Sequence, residues 1–190
     1  MKRFLTFLCL LASLVVLAPQ TVLAEESSSS QVGTKLDLSQ KVGSDTLGYL
    51  MIPSDFVKFN ELGEHSSSQL QWSSKDAFTV VTLDKMQPYQ GVENHPVFSK
   101  LPKPYVFATD RMATYATMPD HEKLTLGAVK GYPSSYKDVV GVEAQFKDKT
   151  LRLIFFTPES DPDSVYYLAV EGAPKDMDAL EEILKSWTPK

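Results

Sequence analysis

Leu151–Phe156 reads LRLIFF and Val165–Val170 reads VYYLAV. Both are short apolar runs with no polar face, which predicts central strands covered on both sides rather than surface elements. Just upstream, Asp138–Phe146 (DVVGVEAQF) alternates Val140, Val142, Ala144 and Phe146 with Gly141, Glu143 and Gln145, the pattern of a half-solvated strand with one core face. Lys147-Asp148-Lys149 turns this strand into LRLIFF, and the acidic loop Thr157–Ser164 leads on to VYYLAV. Connections this short make the three strands an antiparallel meander.

Downstream, Pro174 precedes a segment in which Met177, Leu180, Ile183, Leu184 and Trp187 recur at helical spacing, with Asp176 and Asp178 near the positive end of the dipole. This predicts a closing helix packed across the sheet. Upstream, Leu47–Ile52 alternates as a strand, stopped by Pro53-Ser54-Asp55, and Phe56–Phe59 continues as a short extended piece or turn. Leu70–Ser73 and Phe78–Leu83 (FTVVTL) read as a hairpin across Ser74-Lys75-Asp76. Gln87–Lys103 is proline-rich and expected to be irregular. From Pro104, the residues Tyr105, Ala108, Met112, Tyr115 and Ala116 share one helical face up to Pro119. The same segment is rich enough in β-branched and aromatic residues to form a strand instead. A further extended run, Leu124–Val129, precedes the meander.

The chain opens with Lys2 and Arg3, an apolar run Phe4–Ala18, and Val22-Leu23-Ala24 before Glu25. That order of charged, apolar and small-residue regions reads as a secretory signal peptide over residues 1–24. The apolar run is shorter than the roughly 20 residues a spanning helix needs, and Pro19 interrupts it. The expected location is therefore secreted or cell-envelope, with no membrane span in the mature protein. The single cysteine, Cys9, lies inside the leader, so the mature domain is cysteine-free, has no disulfide and excludes thiol chemistry. Glu25–Thr34 (EESSSSQVGT) reads as a disordered serine-rich spacer, leaving 35–190 as one domain. Removal of the leader takes two of the 19 basic residues and none of the 24 acidic ones, so the mature chain is more acidic than the formal net charge of −5. Without a basic cluster, nucleic acid is not an expected partner.

Read in order, GYLMIPSDFVKF, the hairpin strand FTVVTL, ATDRMATYAT, SSYKDVVGVEAQF, LRLIFF, VYYLAVEG and a closing helix into Ser186-Trp187 resemble the PsbP-like superfamily. That superfamily includes the extrinsic P subunit of photosystem II, a Ran-binding Mog protein and many exported bacterial proteins of unassigned role. The resemblance spans Leu47 to Trp187 and its motifs are structural. It implies an α+β domain, an antiparallel sheet of about five to seven strands flanked by helices as an α/β/α sandwich. It carries no catalytic, cofactor or metal residue onto this chain, because one fold hosts many functions.

The residues themselves point the same way. His65, His95 and His121 stand apart, with no second histidine at a ligand spacing, and His121 is bracketed by Asp120 and Glu122. Ser66-Ser67-Ser68 and Ser134-Ser135 lack the G-x-S-x-G elbow of a serine hydrolase. Glu159, Asp161 and Asp163 alternate in ESDPDS and offer oxygens to calcium, yet the glycine and the closing acid of a calcium hand are missing. Tyr132 and Tyr136 in GYPSSY, beside glycine and proline, form the candidate partner-binding surface, with core packing as the competing reading. No catalytic, cofactor-binding or metal-binding residue is expected. The reading is an exported, non-enzymatic binding or accessory module for an extracellular protein or ligand; the alternative is an extracellular hydrolase using paired carboxylates, recognisable by a concave pocket with convergent acids.

Overall fold

The computed structural model describes residues 35–59, 69–86 and 95–190. The leader over 1–24, the spacer over 25–34, His65 and the serines at 66–68 lie outside the described residues, as does the stretch 87–94 of the proline-rich segment.

The meander forms as its sequence pattern predicts. Tyr136–Phe146 (β7), Thr150–Pro158 (β8) and Val165–Gly172 (β9) pair antiparallel in chain order. β9 continues into Val80–Met86 (β5), then Leu70–Ser73 (β4) and Val57–Lys58 (β3), and His121–Ala128 (β6) closes the far edge against β7. The strand order is β3-β4-β5-β9-β8-β7-β6. Leu38–Ser44 (β1) and Gly48–Pro53 (β2) make a separate antiparallel hairpin.

Two helices cover opposite faces of the sheet. Lys103–Ala116 (α1) carries Phe107, Ala108 and Tyr115 onto Val140, Val142 and Ala144 of β7, Leu153 and Phe155 of β8, and Val165, Tyr167 and Ala169 of β9. Met177–Lys185 (α2), together with Trp187 and the β1–β2 hairpin, covers Ile154, Phe156, Tyr166, Leu168 and Val170 on the other face. Neighbouring residues of β8 and β9 thus enter opposite cores, which is why LRLIFF and VYYLAV have no polar face. The outcome is an α+β, α/β/α sandwich.

α1 resolves the helix-or-strand ambiguity in favour of the helix, with Pro104 in its first turn, but its buried stripe differs from the expected one. Pro104, Val106, Phe107, Ala108 and Tyr115 are buried, Tyr105 and Met112 are half-buried, and Ala116 is exposed. The helix turns toward Phe107 because burying that ring removes the most apolar surface from water. On α2 Met177, Leu180, Ile183 and Leu184 are buried as the spacing predicts, while Trp187, also buried, lies beyond the helix end at Lys185.

Trp187 anchors the second core. It is 2% exposed, and its indole Nε1 donates to the Leu47 carbonyl at 2.8 Å. Tyr136, Phe156 and Tyr166 surround it at ring-centroid distances of 5.6, 5.0 and 5.3 Å. Tyr49 and Thr188 exchange backbone bonds at 2.9 Å, tying the chain terminus to β2. Gly48 makes this approach feasible: its φ is +77°, and a Cβ there would lie 2.5 Å from Trp187 Nε1.

Candidate functional site

The face of the sheet under α2 is only partly covered. α2 lies over β9 and β8, and beyond it, on β7 and β6, a groove of about 300 Å³ opens. Its floor exists because two small residues coincide: Gly127 of β6 and Gly141 of β7 are register partners. A Cβ built on Gly127 would meet nothing within 4 Å. The Gly127 position therefore faces open space.

One wall comes from the segment between β6 and β7, where Val129, Lys130 and Tyr132 line the groove. The Tyr132 ring packs against Tyr136 at 5.6 Å and lies under Lys185 Nζ of α2 at 5.9 Å. Among the described residues its buried hydroxyl forms no full hydrogen bond, and Glu181 is the carboxylate close enough to act on it. Burial pushes the Tyr132 phenol well above its ordinary range, and the nearby Glu181 charge adds to the effect.

The opposite wall is an ion-pair network centred on Arg152. Its Nε and Nη2 donate to Glu143 Oε2 of β7 at 2.9 and 2.8 Å, and its Nη1 donates to Glu181 Oε2 of α2 at 2.5 Å. Gln145 Nε2 donates to the other oxygen of Glu143 at 3.0 Å, and Lys185 stands 3.5 Å from the other oxygen of Glu181. Burial alone would lower the Arg152 pKa; Glu143, Glu181 and Asp178 outweigh it and raise the guanidinium further. A retaining or inverting glycosidase faces two carboxyls across a substrate bond. Here the guanidinium occupies the space between the groove's two carboxylates.

The two tyrosines expected to form an exposed surface stay in ring contact but enter different surroundings. Tyr132 lines the groove, whereas Tyr136 is 5% exposed, in the core, and donates its hydroxyl to the Leu184 carbonyl at 2.6 Å. Burial pushes the Tyr136 phenol far above its ordinary range. The reason is a β-bulge: the β7–β8 register shifts between Lys137 and Val140, and Asp138 takes φ +53°. Without the extra residue, Tyr136 would share the face of Val140 and Val142; with it, the ring turns into the opposite core. The exposure expected for Tyr136 is thus corrected.

The remaining candidates are spread over the molecule. His95 Nδ1 accepts from the Val97 and Phe98 amides at 3.3 and 3.1 Å and its ring stacks on Phe98, while His121 Nδ1 lies 2.6 Å from the Met118 carbonyl. The Ser135 carbonyl accepts the Glu159 amide. In ESDPDS the three acids diverge onto three lysines: Asp161 on Lys85 at 2.5 Å, Glu159 on Lys137 at 3.1 Å and Asp163 on Lys103 at 3.6 Å. Among the described residues, no group of three or more His, Cys, Asp or Glu converges as a metal site, and no helix is long and apolar enough to cross a membrane. The groove was missed in the sequence. Gly127, Gly141, Glu143 and Arg152 carry a signal only when the strands are in register, because Arg152 sits in LRLIFF as the one polar residue of an otherwise apolar run.

No protein-family model and no curated protein matches the chain. Solved structures do. The chain is similar to cyanobacterial PsbP (CyanoP) from Synechocystis, with 11% identity, 86% of this chain and 98% of the other covered, and a TM-score of 0.53. It is also similar to the Ran-binding protein Mog1p of Saccharomyces cerevisiae, with 12% identity, 78% and 91% covered, and a TM-score of 0.49. At these identities the likeness bears on architecture, and the architecture matches over nearly the whole of CyanoP: the chain has the PsbP-like fold.

Proposed function

We propose that this protein is an exported, non-enzymatic module that binds a partner protein through the groove beside α2. The observation that carries the reading is the state of the groove's polar groups: Glu143 and Glu181 both bond Arg152, while the floor at Gly127 is open. A catalytic pocket needs a convergent acid, base or nucleophile left available to a substrate. This one offers shape, an aromatic wall at Tyr132 and an exposed strand, which are the means of a binding surface. Tyr136 supports the site from behind, by packing against Tyr132. The export half of the reading rests on the leader pattern of Met1–Ala24.

Two experiments test the halves separately. N-terminal sequencing of the extracytoplasmic protein should begin at Glu25; a start at Met1 would reject cleavage. For binding, a photo-crosslinking residue placed at Gly127 should give a discrete adduct in cells, and the same residue at exposed Lys175 should not. Equal adducts from both positions, or none from Gly127, would reject the groove.

A further inference from the structure

The free edge of the sheet carries the binding reading further, and the inference below rests on that reading. β6 pairs with β7 on one side and ends the sheet on the other. Residues 122–128 make no other backbone hydrogen bond among the described residues. One row of N–H and C=O groups therefore faces outward along an eight-residue strand without proline. The opposite edge, β3, spans only Val57–Lys58 and is too short to template a ladder. Edge strands of this length are the usual place where an extended peptide adds by main-chain bonding.

The register gives that edge a chemistry. Lys123, Thr125 and Gly127 stand opposite Gln145, Glu143 and Gly141 and share the groove face, while Leu124 and Leu126 pack toward α1. The acids of the groove are already used, since Glu143 accepts from Arg152 and Gln145 and Glu181 from Arg152. Lys123 and Lys130 are exposed and have no ion pair or hydrogen bond among the described residues. The one exposed acid of β6, Glu122, sits at the bulge where the strand slips out of register. On a chain of net charge −5, the two uncommitted charges on the groove face of β6 and in the turn after it are thus both lysines, while the exposed acids Asp120 and Glu122 stand before that face, at and ahead of the bulge.

We propose that β6 takes up an extended, acidic segment of a partner protein as a further strand of the sheet. Carboxylates near the two ends of that segment meet Lys123 and Lys130, about seven residues apart at roughly 3.3 Å per residue. A side chain between them enters the open space over Gly127. The backbone supplies affinity and the lysines choose the sign of the partner.

The test uses the mature protein and blocked eight-residue peptides of alternating threonine and valine flanked by glutamate pairs or by lysine pairs. The glutamate-flanked peptide should bind, slow amide hydrogen exchange across 122–128, and lose affinity as salt is raised. Lys123→Glu with Lys130→Glu should weaken it about tenfold, two exposed ion pairs being removed and reversed. Circular dichroism of this doubly substituted protein checks that the fold is intact. Equal binding of the lysine-flanked peptide overturns the acidic preference. Binding without protection of 122–128, or self-association of the protein through β6 in sedimentation, overturns peptide addition at this edge. If neither peptide binds while the Gly127 crosslink still forms, strand addition is wrong and the binding module stands; if the crosslink fails too, both fall.

Discussion

One face of the sheet contains a tightly filled end and an open end. Over β8 and β9, Phe156 and Tyr166 meet Trp187 and Tyr136 in an aromatic cluster sealed by α2. On the next two strands, β7 and β6, Gly141 and Gly127 carry no side chain, with Val129 packed over Gly141 and nothing over Gly127, and Arg152 rather than an apolar residue faces outward from β8. The backbone is the same antiparallel ladder in both places. What differs is side-chain volume and the position of α2, which lies over β9 and β8. The buried apolar packing is concentrated at one end of the face, and the other end is open over Gly127.

That division is broken most directly at the sealed end. Trp187→Ala should cost about 3–5 kcal/mol in chemical denaturation, from lost burial and a residual cavity. A loss under about 1 kcal/mol would mean that the cluster is not the anchor. Arg152→Met probes the boundary. It leaves Glu143 and Glu181 close together without their cation, and, since these groups are about one-fifth to one-quarter exposed, the expected loss is about 1–3 kcal/mol. Adding Glu143→Gln and Glu181→Gln should recover most of it; failure to do so would show that Arg152 acts through packing. Tyr136→Phe, on the sealed side, removes the hydroxyl bond to Leu184 near the end of α2 and should cost about 1–2 kcal/mol.

Much of the sealed half was legible in the sequence, and little of the open half was. The lack of a polar face in LRLIFF and VYYLAV places them as central strands, and the stripe from Met177 to Trp187 places α2. These signals are local, period-two or period-3.6 patterns that the tertiary structure obeys. Tyr136 escaped because one bulged residue at Asp138 reverses the alternation, and no local pattern announces a bulge. The groove escaped because it depends on register: Gly127 against Gly141, and Glu143 reaching Arg152 from the neighbouring strand, are juxtapositions of residues that are unremarkable one by one. ESDPDS invited a calcium reading since its acids alternate, but their lysines come from β5, β7 and α1, far away in the chain.

The same contrast between covered and open charge predicts a pH effect. The hydrogen bond from Lys85 holds Asp161 below the ordinary aspartate range, and Asp161 holds Lys85 above the ordinary lysine range. The depressed carboxyl contributes stability above its unfolded pKa and loses it as pH falls through the folded value. The raised amine contributes below its unfolded pKa and loses it as pH rises through the folded value. The pair is therefore at full strength between about pH 5 and 9. Lys85→Met should cost at most about 1 kcal/mol at pH 7, and that cost should shrink as pH falls below the ordinary aspartate range and Asp161 takes up its proton. A cost unchanged down to pH 2 would assign it to the lysine's packing against Tyr166, whose ring lies 5.5 Å away.

The smallest expected effect separates the two halves most sharply, because it concerns the same atom type four residues away from Tyr136. The Tyr132 hydroxyl is buried and, among the described residues, lacks a full hydrogen bond, so it has lost water for no more than a weak contact with Glu181. Tyr132→Phe removes that penalty while preserving the ring that packs on Tyr136, and the change should be neutral or stabilising by up to about 1 kcal/mol. Thermal denaturation of Tyr132→Phe beside Tyr136→Phe gives the comparison in one experiment. If both substitutions destabilise equally, the Tyr132 hydroxyl has an internal partner in solution, Glu181 being the carboxylate with the largest influence on it, and the groove is closed by a bond rather than held open. If only Tyr136→Phe destabilises, the groove wall keeps an unsatisfied donor at a stability cost, which is the condition expected where a fold gives up internal satisfaction at a surface that a partner completes.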